Sequence, residues 1–385
     1  MAVDYHRFPK AEYEGRWGNA QRRMAEAGLD ALLITEKANY VYFCGGNPDF
    51  SFSRPTTFIL PASGEPVCVV QQFFRDLTAR SAYVDDVRVY DTLGGAPIGM
   101  IAGALKDLGA AAGKVGCELG YEQRLGVSAE DFQALGKALP GATLTDGSGV
   151  IWGCRMVKSP AEAARLREAG RITGEVYEAL FPAVRPGMTE AEIVDRFLRM
   201  HMERGGGSPW FLINSGPENY DIPCGGPADR TLQAGDVLWM DGGCCVGDYW
   251  SDYTRMVFLG EPTDEQRKVY DLIVGVTQET VEAVRPGVRC SDLQALNDRL
   301  FEEAGYDYNE INFAGGRIGH GLGTMITEPP HVAAYDDTVL EPGMAITIEP
   351  GWMRDDGCFH VEDNVLVAED GCEILSRCRR DLWVV

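Results

Sequence analysis

The sequence predicts two domains: an α/β domain at the N-terminus, then an α+β domain built from two similar halves. Three observations carry this reading. Short apolar runs alternate with helical patterns through residues 1–150, a strongly capped long helix starts at Ser159-Pro160, and an Arg-Pro-Gly unit occurs twice. At 385 residues the chain also exceeds the size that one hydrophobic core usually serves.

Taken in order, an amphipathic helix over 11–27 ends at Gly28, and 31-ALLIT reads as a short buried strand. Further strands are predicted at 57-TFIL, 67-VCVV, 87-VRVY, 115-VGCE and 142-ATLT, with helices near 98–108 and 128–138. No GxGxxG or GxxxxGK[ST] loop joins a strand to a helix here, so the domain reads as a scaffold or substrate-gating unit rather than a nucleotide site. The boundary is expected near 150–158, dividing the chain into 1–153 and 154–385.

Beyond it, serine at the N-cap and proline at the first helical position open a long helix. That helix, 161–184, closes in 185-RPGMTEAEI; a second, 264–284, closes in 285-RPGVRCSDL. Each unit restarts a helix, the first with a Thr189/Glu192 capping box. Copies a hundred residues apart are too far separated for a solenoid, so two related halves meeting at a site are expected.

Composition excludes several classes. A formal charge of −23 argues against nucleic acid and anionic membrane as partners, and no apolar run is long enough to span a bilayer. The start, 1-MAVDYHRFPKAEYEGRW, has no secretory pattern, and eleven cysteines without a CxxC pair point to reduced thiols in a cytoplasm.

The chemistry lies in the strands that follow each repeated unit. In 237-VLWMDGGCCVGDYWSDYTRMVFLG-260, a turn at Val246-Gly247 would set Asp241 opposite Asp252. In 345-AITIEPGWMRDDGCFHVEDNVLVAEDG-371, a turn at Asp355-Asp356 sets Glu349 opposite Glu362. Like charges facing each other inside apolar runs are destabilising, and twice in one chain they call for compensating positive charge. Arg255 and Arg354 could supply part of it; one or two divalent cations would supply it more fully. His320, one of only five histidines, lies between glycines in 317-RIGHGLGTMITEPP and completes a donor set suited to Mn, Co, Fe or Zn.

The array of Asp241, Asp252, His320, Glu349 and Glu362, within 241-DGG…SDYTR, 319-GHGLG, 348-IEPG and 361-VED, resembles the "pita-bread" metallohydrolases. That group includes prolidase, aminopeptidase P and methionine aminopeptidase, with creatinase as a metal-free relative. The segment 24-MAEAGLDALLITEKANYVYFCGG is similar to the creatinase/prolidase N-terminal domain, so the resemblance spans nearly the whole chain. It implies two divalent metals bridged by Asp252 and Glu362, with Asp241 on one and His320 and Glu349 on the other. It also implies a homodimer, and attack of a metal-bound hydroxide on the carbonyl of a small amide or short peptide. Glu349 is then the candidate for managing protons, with His331 and His360 as candidate donors.

Three positions depart from the proline-specific peptidases. Thr327 stands where the HGxGxxxHE pattern has its second histidine, Cys224 where a histidine precedes the first Asp, and His360 where an arginine precedes the last Glu. A threonine cannot shuttle protons near neutrality as imidazole does. A non-peptidase acting on a small amide, amidine or zwitterion, as ectoine hydrolase, creatinase or dimethylsulfoniopropionate lyase do, is therefore the alternative. A pseudo-enzyme is disfavoured by the complete ligand set.

Overall fold

The computed structural model describes residues 6–46, 53–223, 225–311 and 315–385. It divides into two compact units, Met1–Arg155 and Met156–Val385.

In the first unit all six predicted strands form one sheet. They are β1 (Ala31–Ile34), β2 (Thr57–Pro61), β3 (Val67–Gln71), β4 (Asp86–Tyr90), β5 (Lys114–Cys117) and β6 (Thr143–Asp146), in the order β4-β3-β2-β1-β5-β6. Pairing is mixed: β1–β2 and β2–β3 are antiparallel, the others parallel. β1 to β3 are buried along their whole length, which is why they read as continuous apolar runs rather than alternating ones. The first helix, Lys10–Ala27, stops at Gly28, whose φ of 66° a side chain would oppose.

The second unit opens with helix Pro160–Leu180, held by a reciprocal Ser159/Glu162 capping box. The internal echo is structural. After the first helix pair's Arg-Pro-Gly, Gly187 N–H donates to Leu232 O at 2.8 Å, and Leu232 N–H returns to Met188 O at 2.8 Å. After the second, Gly287 N–H donates to Leu340 O at 2.9 Å, and Leu340 N–H to Val288 O at 2.8 Å. Each half therefore hooks its helix restart onto the segment just before a site-bearing strand.

The first half's strands are β7 (Gly207–Ser215), β8 (Val237–Val246), β9 (Tyr249–Trp250) and β10 (Tyr253–Phe258), with the terminal strand Trp383–Val384 added beside β10. The second half contributes β11 (His320–Gly321), β12 (Glu328–His331), β13 (Ala345–Ile348), β14 (Gly351–Arg354), β15 (Gly357–His360), β16 (Asp363–Ala368) and β17 (Gly371–Ile374). β12-β11-β13-β16-β17 form one sheet, and β14–β15 a separate ribbon.

Alternation along β8 explains where the site falls. Leu238 and Met240 pack with Val176, Tyr177 and Phe197 of the first half's helices. Val237 and Trp239 pack with Ile346, Ile348 and Val365 of the second half. With successive side chains on opposite faces, Asp241 continues the odd-numbered face and points to where the halves meet. Arg255 and Asn364 stitch that junction. Arg255 Nη1 donates to Glu362 O at 2.6 Å and Nη2 to Asp363 Oδ1 at 2.9 Å, while Asp252 N–H donates to Asn364 Oδ1 at 3.0 Å.

Among the described residues no helix is long and apolar enough to cross a membrane, and the cysteines are free thiols.

Candidate active site

The first hairpin corrects the expected register. Its turn is Gly247-Asp248, not Val246-Gly247, and Val246 pairs with Tyr249. A two-residue hairpin turn of this kind needs left-handed backbone at both positions; Gly247 and Asp248 adopt φ of 55° and 72°, which β-branched Val246 would resist. Asp241 consequently faces Thr254, and Asp252 lies one pleat further along on the same face. Between β9 and β10 the ladder breaks at residues 251–252. A Cβ on Gly243 would come within 2.0 Å of Ser251 O, so only glycine permits this close crossing. Ser251 is anchored there, its N–H donating to Cys244 O at 2.9 Å and its Oγ accepting from Cys244 N–H at 3.0 Å.

In the second half the expected register holds: Ile348 pairs with Asp363 and Gly351 with His360. Glu349 and Glu362 sit at the corner between the two ladders, where the chain leaves the main sheet for the β14–β15 ribbon. β11, two residues long, is threaded between β12 and β13. A Cβ on Gly319 would meet Thr347 O at 2.1 Å, and one on Gly321 would meet Pro329 O at 2.2 Å. Gly319→Ala is therefore expected to cost about 1–3 kcal/mol through displaced backbone. A fall in melting temperature accompanied by weaker metal retention checks this; an unchanged melting temperature would refute it.

Five predicted residues converge at this junction. His320 Nδ1–H donates to Gly321 O at 3.0 Å, which leaves the Nε2 lone pair facing Asp252 Oδ2 at 3.3 Å and Glu349 Oε1 at 3.5 Å. Asp252, His320 and Glu362 each offer a ligand atom within 4.8 Å of one another. Asp241 joins through its contacts with Asp252 and Thr254. All are buried. Asp241 Oδ1, Asp252 Oδ1 and Glu362 Oε1 accept no hydrogen bond among the described residues. Acceptors facing acceptors in a dry pocket demand protons or cations.

The acid–base behaviour agrees. Burial pushes the Asp252 and Glu349 carboxyls up to about 7, and burial with neighbouring carboxylates drives Asp241 and Glu362 well above the usual range. Burial also lowers His320, favouring the neutral ring. The donor set, four carboxylates and one neutral imidazole with bare oxygens, fits divalent cations.

The three other candidates have distinct surroundings. His360 Nε2 lies 3.9 Å from Glu349 Oε2 and forms a second close group with Glu349 and Glu362. Trp239 Nε1–H, however, donates to His360 Nδ1 at 3.3 Å, so the neutral ring carries its proton on Nε2. Burial lowers its pKa to about 3. His360 is thus a hydrogen-bond donor facing Glu349, rather than a lone pair waiting for a metal. His331 is the cross-strand partner of His320, and its Nδ1 accepts from Arg317 Nη1 at 3.0 Å. Thr327 stands half-buried immediately before β12. Cys224 and residues 47–52 lie outside the described residues.

Neither arginine expected to offset the carboxylates does so. Arg255 spends its charge on Asp363, and Arg354 on Asp356 and Glu265. The cation that does approach is Arg317, with Nε 4.0 Å from Glu349 Oε1, which sequence reasoning missed. Its position three residues before His320 was the available signal.

Comparison with known proteins places this geometry. The Metallopeptidase family M24 model matches residues 164–369, and the Creatinase/Prolidase N-terminal domain model residues 16–157. The chain belongs to metallopeptidase family M24. It is accordingly a metal-dependent hydrolase with the pita-bread fold. The M24 chain is 31% identical to a probable dipeptidase PepE of Mycobacterium bovis over 98% of both chains. It is 31% identical to an Xaa-Pro dipeptidase of Pyrococcus furiosus over 60% of this chain and 66% of that one. The crystal structure of dipeptidase PepE from Mycobacterium ulcerans superposes with a TM-score of 0.86 at 30% identity, covering 98% of this chain and 99% of that one.

Proposed function

We propose that this M24 protein is a dinuclear hydrolase of small peptide or amide bonds, of the Xaa-Pro dipeptidase type, working in the cytoplasm as a homodimer. Residues 1–153 form its N-terminal domain and 154–385 its catalytic domain. Asp241, Asp252, His320, Glu349 and Glu362 would hold two divalent ions, drawn from Mn, Co, Fe and Zn. The observation that carries this reading is the His320 lone pair aimed at two carboxylates, beside carboxylate oxygens that accept no hydrogen bond among the described residues. Such ions would supply an acidified water as nucleophile and polarise the scissile carbonyl. The chain's own groups then handle binding and protons: Glu349 accepts, with His360 beside it and His331 as candidate donors.

The relatives named as dipeptidases support a peptide substrate. Thr327, in place of an imidazole, is the observation that favours the second reading, a small amide, amidine or zwitterion. Metal-loaded protein tested on Xaa-Pro dipeptides and on small amides separates the two. Absence of turnover of every Xaa-Pro dipeptide by fully metallated protein would sink the peptidase reading, and absence of metal uptake would sink both.

Metal affinity should rise with pH. Asp252 and Glu349 hold protons in the folded, metal-free protein up to about 7, far above their unfolded values. The folded state then binds more protons than the unfolded one, so metal-free stability declines as pH climbs from about 4 through about 7. Bound cations must displace those protons, so the apparent association constant should increase roughly tenfold per pH unit per proton released. Calorimetric titration with manganese in buffers of differing ionisation enthalpy reads both affinity and proton release. A pH-independent affinity from 5.5 to 8 would contradict it.

A further inference from the structure

We infer that Arg317 recognises a carboxylate on the substrate, which narrows the substrates to short peptides or amino-acid derivatives with a free carboxyl group. This rests on the hydrolase reading above and names the substrate class of the same site.

Guanidinium is a planar fork of five N–H donors, matched to the two oxygens of a carboxylate. Arg317 has committed little of that fork. Nη1 donates to His331 Nδ1 at 3.0 Å, Nε stands 4.0 Å from Glu349 Oε1, beyond hydrogen-bonding distance, and Nη2 has no acceptor among the described residues. Its side chain is 25% exposed, against 10% for Glu349 beside it, so it reaches outward from the buried cluster. Arg255 makes the contrast: fully buried, it gives Nε to Arg379 O, Nη1 to two carbonyls, and Nη2 to Asp363 and Cys378 O. Arg255 is built into the fold. Arg317 is held on one side and left open on the other.

His331 is the positioning residue. A guanidinium has no lone pair to offer, so the ring nitrogen must accept, and the imidazole grips one edge of the fork. The grip is itself fixed, because His331 N–H donates to Asp336 Oδ2 at 2.8 Å. With the cluster's charge neutralised by bound cations, an anion brought by the substrate is the charge that Arg317 lacks.

The test compares one dipeptide with its C-terminal amide on manganese-loaded protein. The wild type should favour the free acid in kcat/KM by tenfold or more, chiefly through KM. Arg317→Gln should bring that ratio close to one, Arg317→Lys should keep part of it, and His331→Ala should weaken it through a higher KM. Metal content of each variant is measured alongside. A wild type indifferent to the amide, an equal fall on both substrates, or loss of bound manganese from Arg317→Gln would overturn the inference. If the wild type cleaves neither this pair nor any other Xaa-Pro dipeptide, the peptidase reading fails by itself. Calorimetric binding of proline against prolinamide to wild type and Arg317→Gln then decides the anion site, equal binding of both ligands to both proteins refuting it.

Discussion

Asp252→Asn is expected to lower kcat/KM by at least about a thousandfold, some 4 kcal/mol of transition-state stabilisation, while making the metal-free protein more stable above pH 7. Two effects of opposite sign follow from one carboxylate. Asp252 Oδ2 lies 3.3 Å from His320 Nε2, and its Oδ1 accepts no hydrogen bond among the described residues. As a proposed metal ligand it would contribute negative charge, and an amide offers only a neutral oxygen. In the absence of cations the same charge is a liability. Burial pushes its pKa up to about 7, so keeping it ionised at pH 8 opposes folding by a few kcal/mol at most. The stability lost as pH rises through about 7 should therefore be smaller in Asp252→Asn than in wild type. Paired measurements of manganese content, kcat/KM and metal-free melting temperature at pH 5.5 and 8 test this. Retained turnover in the variant would remove Asp252 from the proposed centre.

How much of this was legible in the sequence depended on whether the determining contact was local. Strands β1 to β3 of the first unit were readable because fully buried strands are short apolar runs between glycine, proline and polar breaks. The helix restarts were readable because capping boxes and Arg-Pro-Gly are contiguous. The register on either side of Glu349 and Glu362 followed correctly from Asp355-Asp356. The pairing of Asp241 with Asp252 did not hold, because the turn falls at Gly247-Asp248, the two residues that adopt positive φ. The true pairing with Thr254 leaves both aspartates on one face, so the shift moved Asp252 along the face without removing it from the site. The named ligand set owes more to the family resemblance than to periodicity. Trp239 and Lys158 were invisible because each meets its partner across folded distance: Trp239 sets the proton of a histidine 121 positions away, and Lys158 meets its carboxylate 170 positions on.

That last contact yields the largest stability effect expected. Lys158→Met should destabilise the protein by about 3–5 kcal/mol, lowering its melting temperature by roughly 10 °C. Lys158 Nζ lies 2.9 Å from Glu328 Oε1, both side chains are 1% exposed, and the ammonium also donates to Met156 O at 3.2 Å. Methionine fills much the same volume, so the loss is electrostatic: a buried carboxylate deprived of its ammonium. Glu328→Gln strands the ammonium and should cost a comparable amount. Lys158→Met combined with Glu328→Leu removes both charges and should recover most of the loss, since buried ion pairs seldom outperform apolar packing. The consequence reaches the site because Glu328 begins β12 and pairs with Gly321, next to His320. Each single variant should therefore hold manganese less tightly than wild type, whereas the double variant, with the strand again unstrained, should hold it nearly as well. Thermal unfolding of the four proteins with and without manganese closes the cycle. Additive losses in the double variant would show that Lys158 and Glu328 are not each other's compensating charge.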